Sequence, residues 1–155
     1  MNRIAIKPLC AFAQGFILFG ALLSNSCALA DQTGTAYFQV SGATKSDTFI
    51  IALTDPVLIA QARTIVNGTQ MTRIHVHGII EPTAAAYNRD WHFHLQTETI
   101  GFFELAAEVC DASTSYVEDH LSEIGGAFLP GRHWCPWASK VIAEVTYDAK
   151  HGSHK

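Results

Sequence analysis

Thr72-Arg73-Ile74-His75-Val76-His77-Gly78-Ile79-Ile80 and the later Trp91-His92-Phe93-His94-Leu95 decide the reading of this 155-residue chain. Both alternate apolar and polar residues, the period of a strand with one face buried. In the first, Ile74 and Val76 belong to one face and His75 and His77 to the other; in the second, Trp91 and Phe93 oppose His92 and His94. A sheet is therefore expected at the centre of the fold, with its apolar rows turned towards one core.

Working outward, Ala36 to Val40 and Asp47 to Leu53 carry strand-forming residues around the turn material Ser41-Gly42-Ala43. The next segment has the punctuation of a helix: Asp55 as N-cap, Pro56 at the first helical position and Gly68 just past the end. Between them Leu58, Ile59, Ala62, Ile65 and Val66 recur at helical spacing. Glu81 to Arg89 reads as a loop, Ile100 to Val109 as a strand, and Ser113 caps a second helix running to Ile124 before Gly125-Gly126. Lys140 to Tyr147 reads as the last strand. The expected fold class is α+β, mostly antiparallel β-sheet with two helices and one disulfide.

The N-terminus reads as a signal peptide. Arg3 and Lys7 precede an apolar run from Ala11 to Leu23, and Ala28-Leu29-Ala30 is the small-x-small pattern of a cleavage site, which places the cut after Ala30. The run is shorter than the roughly 20 apolar residues of a spanning helix. Lipid anchoring through Cys27 is the rival, but Leu23 stands one place too far away and Asn25 occupies a position that suits a small residue. The domain plan is residues 1–30 as signal peptide, 31–149 as one α+β domain, and 150–155 as a polar, mobile tail. The product is expected to be secreted or periplasmic.

Removing the signal takes two basic residues and no acid, so the balance of the remainder shifts from −4 to −6. An acidic surface argues against nucleic acid and against an anionic membrane as partner, and residues 31–155 contain no membrane span. Cys10 and Cys27 leave with the signal. Cys110 and Cys135 then most simply form one disulfide in an oxidising compartment. A reactive thiol or half of a metal site is the alternative, without any Cys-x-x-Cys in its favour.

All eight histidines follow residue 74. If the two His-x-His strands are neighbours in one sheet, His75, His77, His92 and His94 share a face, and imidazole clusters suit Zn(II) or Cu(II). Asp90 would share that face; Arg73 would oppose a cation. The plain reading of the same residues is a solvated sheet face. A second group comprises Glu104, Glu108, Asp111, Glu118, Asp119, His120 and Glu123. Paired carboxylates can act as acid and base, but Glu118, Asp119 and Glu123 fit a wet helix surface, while Glu108 and Asp111 flank Cys110. Tyr87, Asn88, Trp91, Trp134 and Trp137 are candidate ligand-binding residues; Trp134 and Trp137 equally suit a lid over the disulfide. No Gly-x-Ser-x-Gly elbow and no phosphate loop is present.

Tyr87-Asn88, Trp91-His92-Phe93-His94-Leu95, Glu108-Val109-Cys110-Asp111-Ala112, Tyr116-Val117-Glu118-Asp119-His120-Leu121 and Trp134-Cys135-Pro136-Trp137 together resemble one family. It is the family similar to the N-terminal domain of a calcium-dependent prespore protein of social amoebae, some bacterial members of which carry the label calmodulin. Leu53-Thr54-Asp55-Pro56 followed by Ile59-Ala60-Gln61-Ala62-Arg63 fits the same pattern. The resemblance implies a secreted or surface module and no particular reaction. No Asp-x-Asp-x-Asp-Gly loop ending in Glu exists, so EF-hand calcium binding has no ligands here.

Three functions follow in order. The first is an exported, non-enzymatic binding module for an unknown ligand or protein partner, working through the histidine face and the Tyr87–Trp91 loop. The second is Zn or Cu binding by the paired His-x-His strands. The third is a small secreted hydrolase or an inhibitor of hydrolases.

Overall fold

The computed structural model describes residues 34–106, 109–148 and 153–154. The expected signal peptide, Glu108 and most of the expected tail lie outside the described residues.

β1 (Ala36–Ser41) and β2 (Phe49–Leu53) form an antiparallel hairpin, with Tyr37 opposite Ala52 and Gln39 opposite Ile50. Alternation decides the faces: Phe38 and Val40 are fully buried while Tyr37 and Gln39 look the other way. Asp47 belongs to the connecting turn rather than to β2. Its carboxylate accepts the amide of Thr44 at 3.1 Å and its hydroxyl at 2.7 Å, which holds residues 45–47 in a 3-10 turn.

α1 (Pro56–Val66) begins and ends where its caps dictate. The Asp55 side chain accepts the Val57 amide at 2.7 Å, and Gly68 turns the chain away at φ +78°. Ile59, Ala62 and Ile65 form its buried stripe. Arg63, on the other side, makes a bidentate pair with Glu144 (2.9 and 2.7 Å) on β9 (Lys140–Val145), the strand that joins β1 along its far side. The order of this sheet is β2-β1-β9.

The second sheet is organised by β3 (His75–Glu81), with Val76 and Ile80 fully buried. β4 (His94–Leu95), β5 (Gly101–Phe103) and β8 (His133–Trp134) each pair with it antiparallel. Ser139, fully buried, links the two sheets: its hydroxyl accepts the Val76 amide at 2.9 Å and its carbonyl accepts the Nδ1–H of His75 at 2.7 Å. Both sheets and both helices feed one apolar cluster centred on Phe38, Phe49, Phe93 and Trp134.

Three expected elements are shorter than their patterns. Of Trp91–Leu95, only His94 and Leu95 pair as a strand. The backbone before them is drawn elsewhere, the Trp91 amide to Asn88 O and the His92 amide to Glu118. Of Ile100–Val109, only β5 is strand; past Phe103 the alternation fails and Leu105 and Val109 are exposed. α2 (Thr114–Asp119) is capped by Ser113 as expected, but stops five residues before Ile124 because His120 leaves helical dihedrals (φ −123°, ψ 26°). A turn follows into the short parallel pair β6 (Ile124–Gly125) and β7 (Phe128–Pro130). Cys110 and Cys135 form the disulfide, Cα atoms 5.1 Å apart, tying the segment before α2 to the end of β8. β10 (Tyr147–Asp148) and β11 (Ser153–His154) form a last antiparallel pair. No helix among the described residues is long and apolar enough to cross a membrane.

Candidate functional site

The four histidines of the two His-x-His segments do not converge. His75 and His77 stand at the start of β3, opposite Phe103 and Gly101 of β5. His94 pairs with Glu81, four residues further along the same strand, which separates it from His77 by about 13 Å at about 3.3 Å per residue. His92 precedes the strand and hydrogen-bonds the Glu118 carboxylate at 2.5 Å from its exposed ring. No group of three His, Cys, Asp or Glu residues able to hold a metal ion occurs among the described residues. The condition set on the two strands is met, since β3 and β4 are neighbours, but register defeats the cluster.

His77 meets a different imidazole, His133 of β8, at 3.4 Å between Nδ1 and Nε2. Burial, then the neighbouring His133 and Arg73, hold the His77 ring below the ordinary imidazole pKa. Gly101 leaves the space this ring fills; any side chain there would strike it.

The polar candidates of the 81–94 region turn out to be pins. Asn88 is buried, its Oδ1 accepting the Ile50 amide at 2.9 Å and its Nδ2 donating to Phe93 O at 3.0 Å. Trp91 Nε1 donates to Thr48 O at 2.8 Å, and His94 Nδ1–H donates to Thr83 O at 2.7 Å. Three side chains thus clamp one loop on β2 and the residues flanking it and on the approach to β4, satisfying the backbone groups of Thr48, Ile50, Thr83 and Phe93. Trp134 is fully buried and its Nε1 donates to Ala112 O at 2.9 Å, so it belongs to the core. Asp111 accepts the Trp137 amide at 2.9 Å, closing the segment beside the disulfide.

What the clamped loop presents is Tyr87. Its ring lies 5.2 Å from that of Tyr37 and 6.5 Å from that of Tyr147, while Tyr37 and Tyr147 are 5.3 Å apart. His94 meets Tyr87 edge-on at 6.2 Å. Burial, with Tyr37 beside it, pushes the Tyr87 hydroxyl up to about 12, so it stays a neutral phenol across physiological pH. The three rings touch one another as a single aromatic wall, and two clefts that both reach Val145 border it. One, of about 310 Å³, is lined by Tyr37, Tyr147, Arg63 and Glu144. The other, of about 220 Å³, is lined by Tyr87, Gln39, Thr48, Arg89 and Asp90. A third cleft, of about 340 Å³, has His133 as its one polar side chain, beside Val109, Cys110 and Pro130. The tyrosine wall is the richer site: it combines aromatic surface with convergent polar groups.

A family model for the N-terminal domain of a prespore protein of Dictyostelium matches residues 34–148. The chain belongs to that family. Searches of curated proteins and of solved structures gave no match. The match takes in every element of this prespore-protein N-terminal domain from β1 to β10, and with them the whole tyrosine wall and both cysteines. Sequence reasoning selected Tyr87 but missed Tyr37, Tyr147, Gln39 and His133. The signal for Tyr37 and Gln39 was present in their alternation with Phe38 and Val40; their meeting with Tyr87 requires a tertiary contact.

Proposed function

We propose that this prespore-protein N-terminal domain is an exported, non-enzymatic binding module whose ligand face is the wall of Tyr37, Tyr87 and Tyr147. The observation that carries the reading is the pinning of the 82–91 loop by Asn88, Trp91 and His94, which holds Tyr87 against Tyr37 at the edge of an open cleft. Tyrosine supplies large contact area with few rotatable bonds, and a pre-ordered wall loses little entropy when a ligand arrives. The side chains best suited to chemistry are spent on structure: Cys110 is in the disulfide and Asp111 holds Trp137. Export is supported by the charged, apolar and small-residue series that ends at Ala30, and by a disulfide that an oxidising compartment would preserve.

Two experiments test the reading. N-terminal sequencing of the product is expected to begin at Asp31; an uncleaved chain retained inside the cell overturns export. Amide chemical-shift mapping with saccharide and peptide mixtures is expected to move the signals of Tyr37, Tyr87 and Tyr147 together. Substrate turnover that disappears on changing Glu108 or Asp111 would instead make the protein an enzyme.

A further inference from the structure

The polar groups around the tyrosine wall restrict what can bind there. In the smaller cleft the side chains of Gln39 and Asp90 have no hydrogen-bonding protein partner among the described residues, and Arg89 uses only Nε, donating to Ala86 O at 3.2 Å. The set is mixed. A carboxylate only accepts, a guanidinium only donates, and an amide and a phenol do both. In the larger cleft the Arg63–Glu144 pair is already closed on itself and lies on the Phe38 face of the sheet, because Glu144 stands opposite Phe38 in the register.

A purely anionic ligand would meet a carboxylate in each cleft, and a cationic one a guanidinium. An apolar ligand would strip water from Asp90 and Gln39 and return no hydrogen bond, which is unfavourable for both groups. A neutral ligand that both donates and accepts, and has an apolar face to lie on an aromatic ring, satisfies every group. The clefts suit small rings: about 310 and 220 Å³ lie at or below the low end of drug-sized pockets, about 300–1,000 Å³.

We infer that the ligand is a neutral oligosaccharide, with one sugar ring in the smaller cleft against Tyr87. The inference rests on the tyrosine face being the ligand surface. Sugar hydroxyls pair with Asp90, Arg89 and Gln39. The C–H face of the ring packs on Tyr87, which Tyr37 and Tyr147 back.

The test is a shift-mapping titration of the isotopically labelled protein with maltohexaose, cellohexaose and chitohexaose, and in parallel with polygalacturonate, heparin and a random peptide mixture. Movement of the Tyr37, Tyr87 and Tyr147 signals by a neutral hexaose supports the inference. Asp90→Asn and Gln39→Ala, both exposed or half-buried changes, are then each expected to weaken binding roughly tenfold, the size of one lost polar contact. Tyr87→Phe should bind within a few-fold of wild type and Tyr87→Ala should not bind. If only the charged glycans or the peptides move these signals, the saccharide class is wrong while the binding face stands. If none of the six probes moves them, both readings fall.

Discussion

Asn88 and Ile50 lie 38 positions apart in the chain, yet the Asn88 Oδ1 accepts the Ile50 amide at 2.9 Å while its Nδ2 reaches Phe93 O. One buried amide side chain therefore joins a sheet edge, a loop and the approach to β4. Asn88→Ala leaves a donor on Ile50 and an acceptor on Phe93 without partners. We expect a loss of about 2 kcal/mol, the usual size when buried polar groups are orphaned. Urea unfolding measures it, and Asn88→Asp, which keeps the acceptor but sets a buried carboxylate oxygen against Phe93 O, should lose at least as much at neutral pH.

His77 links stability to pH. Its folded pKa lies below the ordinary 6.5, so the unfolded chain binds the proton more readily. The stability it contributes is complete above 6.5 and is lost as pH falls through that value towards its folded pKa. Urea midpoints at about pH 7.5 and about pH 5 should differ in the wild type, and His77→Gln should narrow the gap. An unchanged gap would assign the acid sensitivity to other groups.

Tyr87 gives the opposite sign at the alkaline end. Its hydroxyl is pushed from 10.0 up to about 12 by burial and by Tyr37, so the stability it contributes is present below 10 and lost as pH rises towards 12. Phenolate absorbance should show a late-titrating component that Tyr87→Phe removes.

The disulfide closes a loop between residues 25 positions apart. In the chain-entropy model such a closure stabilises the fold by about 3.5 kcal/mol. A Cys110→Ser/Cys135→Ser double variant should unfold at correspondingly lower urea, with an unchanged near-ultraviolet spectrum where it remains folded.

How much of this was legible in advance follows from the range of each interaction. The caps of α1, Asp55 and Gly68, act within one turn and are readable from neighbours in sequence. The faces of β1 and β3 follow from period-two alternation, which is also local. Pairing of Cys110 with Cys135 could be read from the count of cysteines beyond residue 30, which is two. The shortened second helix and the stub of β4 were not legible. Asn88 and Glu118 redirect the backbone around Trp91 and His92 through contacts 38 and 26 positions apart, and His120 ends the helix by stacking on Tyr116 and bonding its carbonyl, a side-chain effect that apolar periodicity does not register.

The sequence by itself determined the α+β class, the positions of both helix starts, the disulfide and the membership of one family, because those depend on local chemistry and on recurring residue patterns. Only the tertiary structure decided that His94 stands opposite Glu81 rather than beside His77, and that Tyr37, Tyr87 and Tyr147 form one wall. Alternation assigns a residue to a face, but strand register places it along that face. Register here is set by a buried core and loop pins contributed from distant parts of the chain.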